Sequence, residues 1–154
     1  MYRVKGRIQQ YNWGGKTFIP GLLNIQNTDG LTYAEYWLGV HPSAPAKVIL
    51  GNGATTTLNT LVNSDKPKHL GNEVYRKFNS LPFLLKVLDV KDMLSIQVHP
   101  NKKDAESGFA KESELGIPID SPARNYKDAN HKPEVMIALS EFWLLHGFSA
   151  DIAS

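Results

Sequence analysis

The chain has 154 residues, enough for one domain that buries roughly 70% of its unfolded surface. With 42% hydrophobic and 21% charged residues, its composition is that of a globular protein and not of a disordered one. Lys and Arg total 17 against 15 Asp and Glu, and a net charge of +2 is too small to mark a nucleic-acid or membrane-surface protein; the lack of cysteine excludes a disulfide framework, a thiolate nucleophile and a Cys-based zinc site.

Arg3 and Lys5 interrupt the N-terminus too early for a signal peptide, and no apolar run reaches the roughly 20 residues of a membrane span. The expected location is the cytoplasm. Asn12-Trp13-Gly14-Gly15 reads as a turn whose glycines admit positive φ. Gly14-Gly15-Lys16 is only superficially like a phosphate loop, because the motif's first glycine is missing and no helix is expected after it. A loop over 21–30 leads to an aromatic strand over 33–40, stopped by His41-Pro42-Ser43-Ala44-Pro45. Trp13 and Trp37 read as core aromatics in preference to ligand stackers. A short strand over 47–50 and a Gly51-Asn52-Gly53 turn follow. Leu58, Leu61 and Val62 have helical spacing, and 72–78 is a second helix candidate.

The stretch 81–90 is nearly all apolar, with Lys86 inside it. That lysine either snorkels or faces a cleft and an anion. Residues 93–100 alternate as a strand, 101–111 suit a helix and 112–130 a loop. Strands are expected over 133–139 and 142–148, and nothing after them closes the structure. The fold class is therefore mainly β, with short helices near 56–78 and 101–111.

If 95–99 is a strand, Ser95, Gln97 and His99 share one face, while Leu94, Ile96 and Val98 share the other. Two donors at i and i+2 can reach one metal ion. Glu134 opens an apolar segment, where a charge is costly unless it is paired or coordinated. Placed opposite Gln97 and His99, it would complete three ligands. The plainer reading makes His99 a hydrogen-bonding residue and His131-Lys132-Pro133-Glu134 a solvated turn. Lys102, Lys103, Arg124 and Lys127 read as solvated surface.

Several segments together carry a resemblance. They are Tyr11-Asn12-Trp13-Gly14, Ala34-Glu35-Tyr36-Trp37-Leu38-Gly39-Val40-His41-Pro42, and Leu81-Pro82-Phe83-Leu84-Leu85-Lys86-Val87-Leu88. Further on come Leu94-Ser95-Ile96-Gln97-Val98-His99-Pro100-Asn101-Lys102, Gly108-Phe109-Ala110-Lys111-Glu112, and the stretch from Asn125 to His131-Lys132-Pro133-Glu134. Over about residues 8–148 the chain resembles the type I mannose-6-phosphate isomerases (phosphomannose isomerases).

The resemblance implies a cupin-type β-sandwich or jelly roll, here incomplete. Residues 1–154 would be the N-terminal, zinc-site catalytic domain, with the family's downstream helical and C-terminal parts absent. It implies one Zn²⁺ per chain on Gln97, His99 and Glu134. The family's fourth ligand, a histidine, and its substrate-binding arginine lie downstream, and His146 does not replace that ligand. The implied reaction interconverts mannose 6-phosphate and fructose 6-phosphate through an enediol. Lys132, His131 and Lys86 would be catalytic, and Ser95, Glu35 and Trp13 would bind substrate. The expected partner is a small-molecule sugar phosphate, with no nucleic acid and no membrane. The competing readings are a metal-containing sugar-phosphate-binding module and an inactive fragment. Unpaired strand edges predict self-association.

Overall fold

The computed structural model describes residues 1–144. The chain divides into two compact units, Met1–Ser95 and Ile96–Ser154.

The first unit is built on two three-stranded antiparallel sheets. Strands β1 (Arg3–Lys5), β4 (Lys47–Ile49) and β5 (Thr55–Thr57) form one, in the order β1-β4-β5. Strands β2 (Arg7–Gln9), β3 (Glu35–Leu38) and β6 (Leu85–Leu88) form the other, in the order β2-β3-β6. Only Gly6 separates β1 from β2, so one extended segment serves both sheets. The Gly6 N–H donates to Tyr36 Oη at 2.6 Å. A Cβ at Gly6 would lie 2.5 Å from the Trp37 carbonyl oxygen, so no larger residue fits without movement.

Register decides which side chains enter the core. Ile8, Tyr36 and Val87 face one another across β2, β3 and β6. Together with Ile19, Tyr33, Leu23 and Leu38 they form the apolar cluster. The alternate positions fall in the rows Arg7–Trp37–Lys86 and Gln9–Glu35–Leu88, on the opposite face.

The predicted strands at 33–40 and 47–50 appear as β3 and β4. The apolar run 81–90 is strand only over β6, since Pro82 near its start has no N–H for a ladder. The segment 1–9 and α1 (Phe18–Leu22) were not expected as strands and helix. The helical region contains α2 (Leu58–Ser64), α3 (Lys66–Leu70) and α4 (Asn72–Phe78). Thr57 caps α2 by accepting from the Thr60 N–H at 3.0 Å, and Asp65 caps α3 by accepting from Lys68 N–H at 3.2 Å.

The glycines at 14 and 15 act differently from the expectation. Neither has positive φ. They make bridges to Val90 and Tyr33, and a Cβ on Gly14 would lie 2.6 Å from the Ala34 backbone. The expected turn does form, with the Gly14 N–H donating to the Tyr11 carbonyl at 3.0 Å, but close backbone approach and not positive φ is what calls for the glycines. A five-residue helix does follow Lys16, contrary to the sequence reading, but the Gly15 N–H already donates to the Asp89 carbonyl at 2.9 Å. The loop therefore does not offer that donor to a phosphate.

In the second unit, α5 (Lys102–Glu114) starts at Asn101, whose side chain accepts from the Asp104 N–H at 2.9 Å. The loop after it returns along the helix through Arg124, which is only 4% exposed. Its guanidinium donates to the carbonyls of Tyr126, Ile117 and Phe109 and to Ser113 Oγ. The neighbouring Glu112 carboxylate accepts from Asn125 N–H, Asn125 Nδ2 and Tyr126 N–H, with Arg124 Nε at 3.9 Å. Arg124 is thus an interior residue and not solvated surface.

The Tyr126 N–H chiefly holds the Glu112 carboxyl below its usual value of 4.5; burial opposes this, and Asn125 and Arg124 add to it. A lowered folded pKa gives stability that is complete above the unfolded value and lost as pH falls through the folded one. The Tyr126 amide resonance should therefore titrate with its midpoint below 4.5. A midpoint at or above that value in an NMR titration would contradict the arrangement, and Glu112→Gln should abolish the step.

The strands predicted over 93–100 and 133–139 are not formed, and 142–144 is not strand either; the rest of the stretch predicted over 142–148 lies outside the described residues. Ile96 and Val98 are each 89% exposed, and Val135 is 93% exposed. Alternation selects a face, but a strand also needs a neighbour to satisfy its backbone groups, and none pairs with these segments among the described residues. No described helix is long and apolar enough to cross a membrane.

Candidate active site

The first unit presents a polar sheet face. On β3, Glu35 and Trp37 are two residues apart and point the same way. The Trp37 indole N–H donates to Glu35 Oε2 at 2.6 Å. Lys86, directly opposite Trp37, holds its Nζ 5.2 Å from the indole centroid. His41 meets the same indole edge-on at 4.9 Å. Nearby, Tyr11 stacks on Trp13 with 5.5 Å between rings. Burial raises the Tyr11 phenol pKa, and the Glu35 charge raises it further. Both tryptophans are half-buried on this framework and are not core residues. Lys86 is half-buried as well, its stem in the sheet and its ammonium over an aromatic ring. Ser95 is exposed.

In the second unit, the loop that follows Arg124 brings Glu134 back to His99. Lys102 secures that return, donating to the Ala129 carbonyl at 2.9 Å and to Asn130 Oδ1 at 3.5 Å. It is exposed surface, as expected, and it also pins the loop. The result is His99 Nε2 at 4.0 Å from Glu134 Oε2. Gln97, His131 and Lys132 are exposed and make no hydrogen bond among the described residues. No group of three His, Cys, Asp or Glu side chains converges among them.

The pair fits a zinc ion in its chemistry and nearly in its spacing. Zinc binds imidazole nitrogen and carboxylate oxygen at about 2.0–2.2 Å, so two ligands at a tetrahedral angle lie ~3.4 Å apart. A closure of several tenths of an ångström by two half-exposed side chains would satisfy that. The structure brings together two of the three ligands expected from the sequence; Gln97 is adjacent in the chain but is not shown to converge.

The two sheets with their short inserted helices make a cupin-type fold. A crystal structure of mannose 6-phosphate isomerase from Salmonella typhimurium, bound to its substrate and to zinc, superposes with a TM-score of 0.77 at 45% identity. The match covers 86% of this chain and 33% of that one. Residues 1–150 match the family of phosphomannose isomerase type I, catalytic domain, and the chain belongs to that family. The mannose-6-phosphate isomerase of Salmonella typhimurium LT2 is 44% identical over 156 residues, covering 100% of this chain and 40% of that protein. The one from Escherichia coli K12 is 44% identical over 148 residues, covering 96% of this chain and 38% of that protein. The chain thus spans about two fifths of the length of these curated relatives.

Proposed function

We propose that this chain is the N-terminal, zinc-site catalytic domain of a cytoplasmic isomerase that interconverts mannose 6-phosphate and fructose 6-phosphate through an enediol. The observation that carries the reading is the His99–Glu134 pair, formed by residues far apart in sequence within a chain of this family. Gln97 through its amide oxygen, His99 through its imidazole nitrogen and Glu134 through its carboxylate would hold one zinc. When bound, zinc supplies Lewis-acid polarisation of the sugar oxygens. Two neutral ligands and one carboxylate leave about one unit of positive charge at the ion, which preserves that polarising power.

The remaining roles follow from side-chain chemistry. Lys86 and Lys132 each offer a point charge to the phosphate or to a developing oxyanion. His131, three residues before Glu134, would carry the proton between C2 and C1. Glu35 accepts hydrogen bonds from sugar hydroxyls, Ser95 donates or accepts one, and Trp13 offers a flat apolar face.

A coupled assay with mannose 6-phosphate on zinc-loaded protein tests this reading. The expected result is fructose 6-phosphate formation that chelation abolishes. Zinc and fructose 6-phosphate binding without conversion would instead favour a sugar-phosphate-binding module. That second reading draws on the chain's matching only two fifths of its relatives.

Exposed Ile96, Val98, Val135 and Ile137 also support self-association through unpaired segments. Sedimentation should show mass rising with concentration, and a concentration-independent monomer would rule it out.

A further inference from the structure

The polar face of β2, β3 and β6 poses a question of charge. Glu35 and Lys86 share that face, and their positions are diagonal neighbours, because Lys86 is opposite Trp37 and Glu35 is two residues from it. Diagonal side chains in an antiparallel sheet lie ~7–8 Å apart at the backbone, within reach of a glutamate and a lysine. Arg7, opposite Trp37 on the other flank, has the same diagonal relation to Glu35. A carboxylate with two such cations in reach would ordinarily pair with one. Here it pairs with neither: among the described residues the Lys and Arg ion pairs are Lys102–Glu106 and Arg124–Glu112 alone.

Trp37 accounts for this. Its N–H takes Glu35 Oε2 at 2.6 Å, and its ring carries the Lys86 ammonium at 5.2 Å. His41 packs edge-on against the same ring and fixes its plane. We propose that Trp37 is a positioning residue that holds the Glu35 carboxylate and the Lys86 ammonium apart on one face, so that both remain available to a sugar phosphate instead of neutralising each other. The proposal rests on the isomerase reading only for its catalytic consequence; the separation is a property of the sheet. An indole suits the task because one rigid side chain offers a donor at its edge and an electron-rich face for a cation.

NMR on the full 154-residue chain, with lysines labelled at Cε and tryptophans at the indole nitrogen, decides it. In the unmodified protein the Lys86 ε-protons, identified by their loss in Lys86→Arg, should lie upfield from the ring current, and Glu35→Gln should move the Trp37 indole N–H resonance. Trp37→Phe keeps a ring and should retain most of the upfield shift while freeing Glu35. Trp37→Leu should abolish the shift and bring Lys86 into contact with Glu35, seen as a new dependence of the Lys86 resonances on Glu35→Gln. Lys86 resonances free of ring current in the unmodified protein, or unaltered by Trp37→Leu, would overturn the proposal. If Trp37→Leu does not fold, the unmodified protein and Trp37→Phe still suffice to support the proposal or to overturn it.

A kinetic arm with mannose 6-phosphate separates this from the functional reading. Trp37→Phe should lower kcat by about ten- to a hundredfold with a smaller change in KM, as misplaced reacting groups do. An inactive unmodified chain would count against the isomerase reading alone, because the spectroscopic arm judges Trp37 independently.

Discussion

Protein purified without added metal or chelator is expected to carry about one zinc per chain, and His99→Ala or Glu134→Ala should reduce that to nearly none. With so few protein ligands available, removal of either one leaves a site too poor to hold a divalent ion against water. The loss should be selective. The His99 side chain is 32% exposed and that of Glu134 is 58% exposed, and neither belongs to the buried core, so the thermal transition should barely move. Gln97→Ala should weaken zinc binding less, since a neutral amide oxygen contributes less than an imidazole or a carboxylate. Elemental mass spectrometry beside circular dichroism reads both quantities. Stoichiometric zinc retained in both the His99 and Glu134 variants would sink the metal assignment.

The second large effect is expected far from any ligand. Arg124→Ala removes donors to three carbonyls and one hydroxyl from a nearly closed interior. Buried acceptors left without partners cost ~1–3 kcal/mol each. A destabilisation on the order of 3 kcal/mol is therefore reasonable after relaxation and water entry. Arg124→Lys keeps the charge but loses the planar fork, and should recover only part of it. Hydrogen exchange over 109–126 is the suitable measurement, because it reports on the α5 loop directly. Zinc content should fall in parallel, since the same loop runs on to Glu134. Protection unchanged in Arg124→Ala would show that the guanidinium contacts do not hold the loop.

Arg124 also marks what the sequence could not reveal. A lone arginine in a Pro-flanked loop looks like solvated surface, and only the folded loop shows that three carbonyls and a serine converge on it. Lys102 is surface as its sequence suggests, but its target, the carbonyl of Ala129, is encoded by no residue pattern. By contrast β3 was legible from its run of aromatic residues, and Tyr36 at its centre is buried. The helices at 58–64 and 72–78 were legible from apolar spacing. The short α3 was not, because it has no apolar stripe and depends on the Asp65 cap. The segments around Gln97 and Val135 failed in the opposite direction. One alternates and the other is a continuous apolar run, yet no described segment offers the hydrogen bonds that would make them strands. The His99–Glu134 pair was anticipated through resemblance, whereas Trp37 as the group between Glu35 and Lys86 emerged only from register.

The extended run through Gly6 has a consequence for the order of synthesis. β1 and β2 are made first, yet β1 must wait for β4 and β5, and β2 for β3, which is itself incomplete without β6. The first sheet cannot close before Thr57 has left the ribosome, nor the second before Leu88 has. Until then the apolar side chain of Ile8 lacks part of its cover and is open to other chains. Placement of β3 supplies the Tyr36 hydroxyl, which then ties the Gly6 link between the two sheets. A nascent chain stalled before residue 88 should therefore be caught by chaperones more often than one stalled well past it.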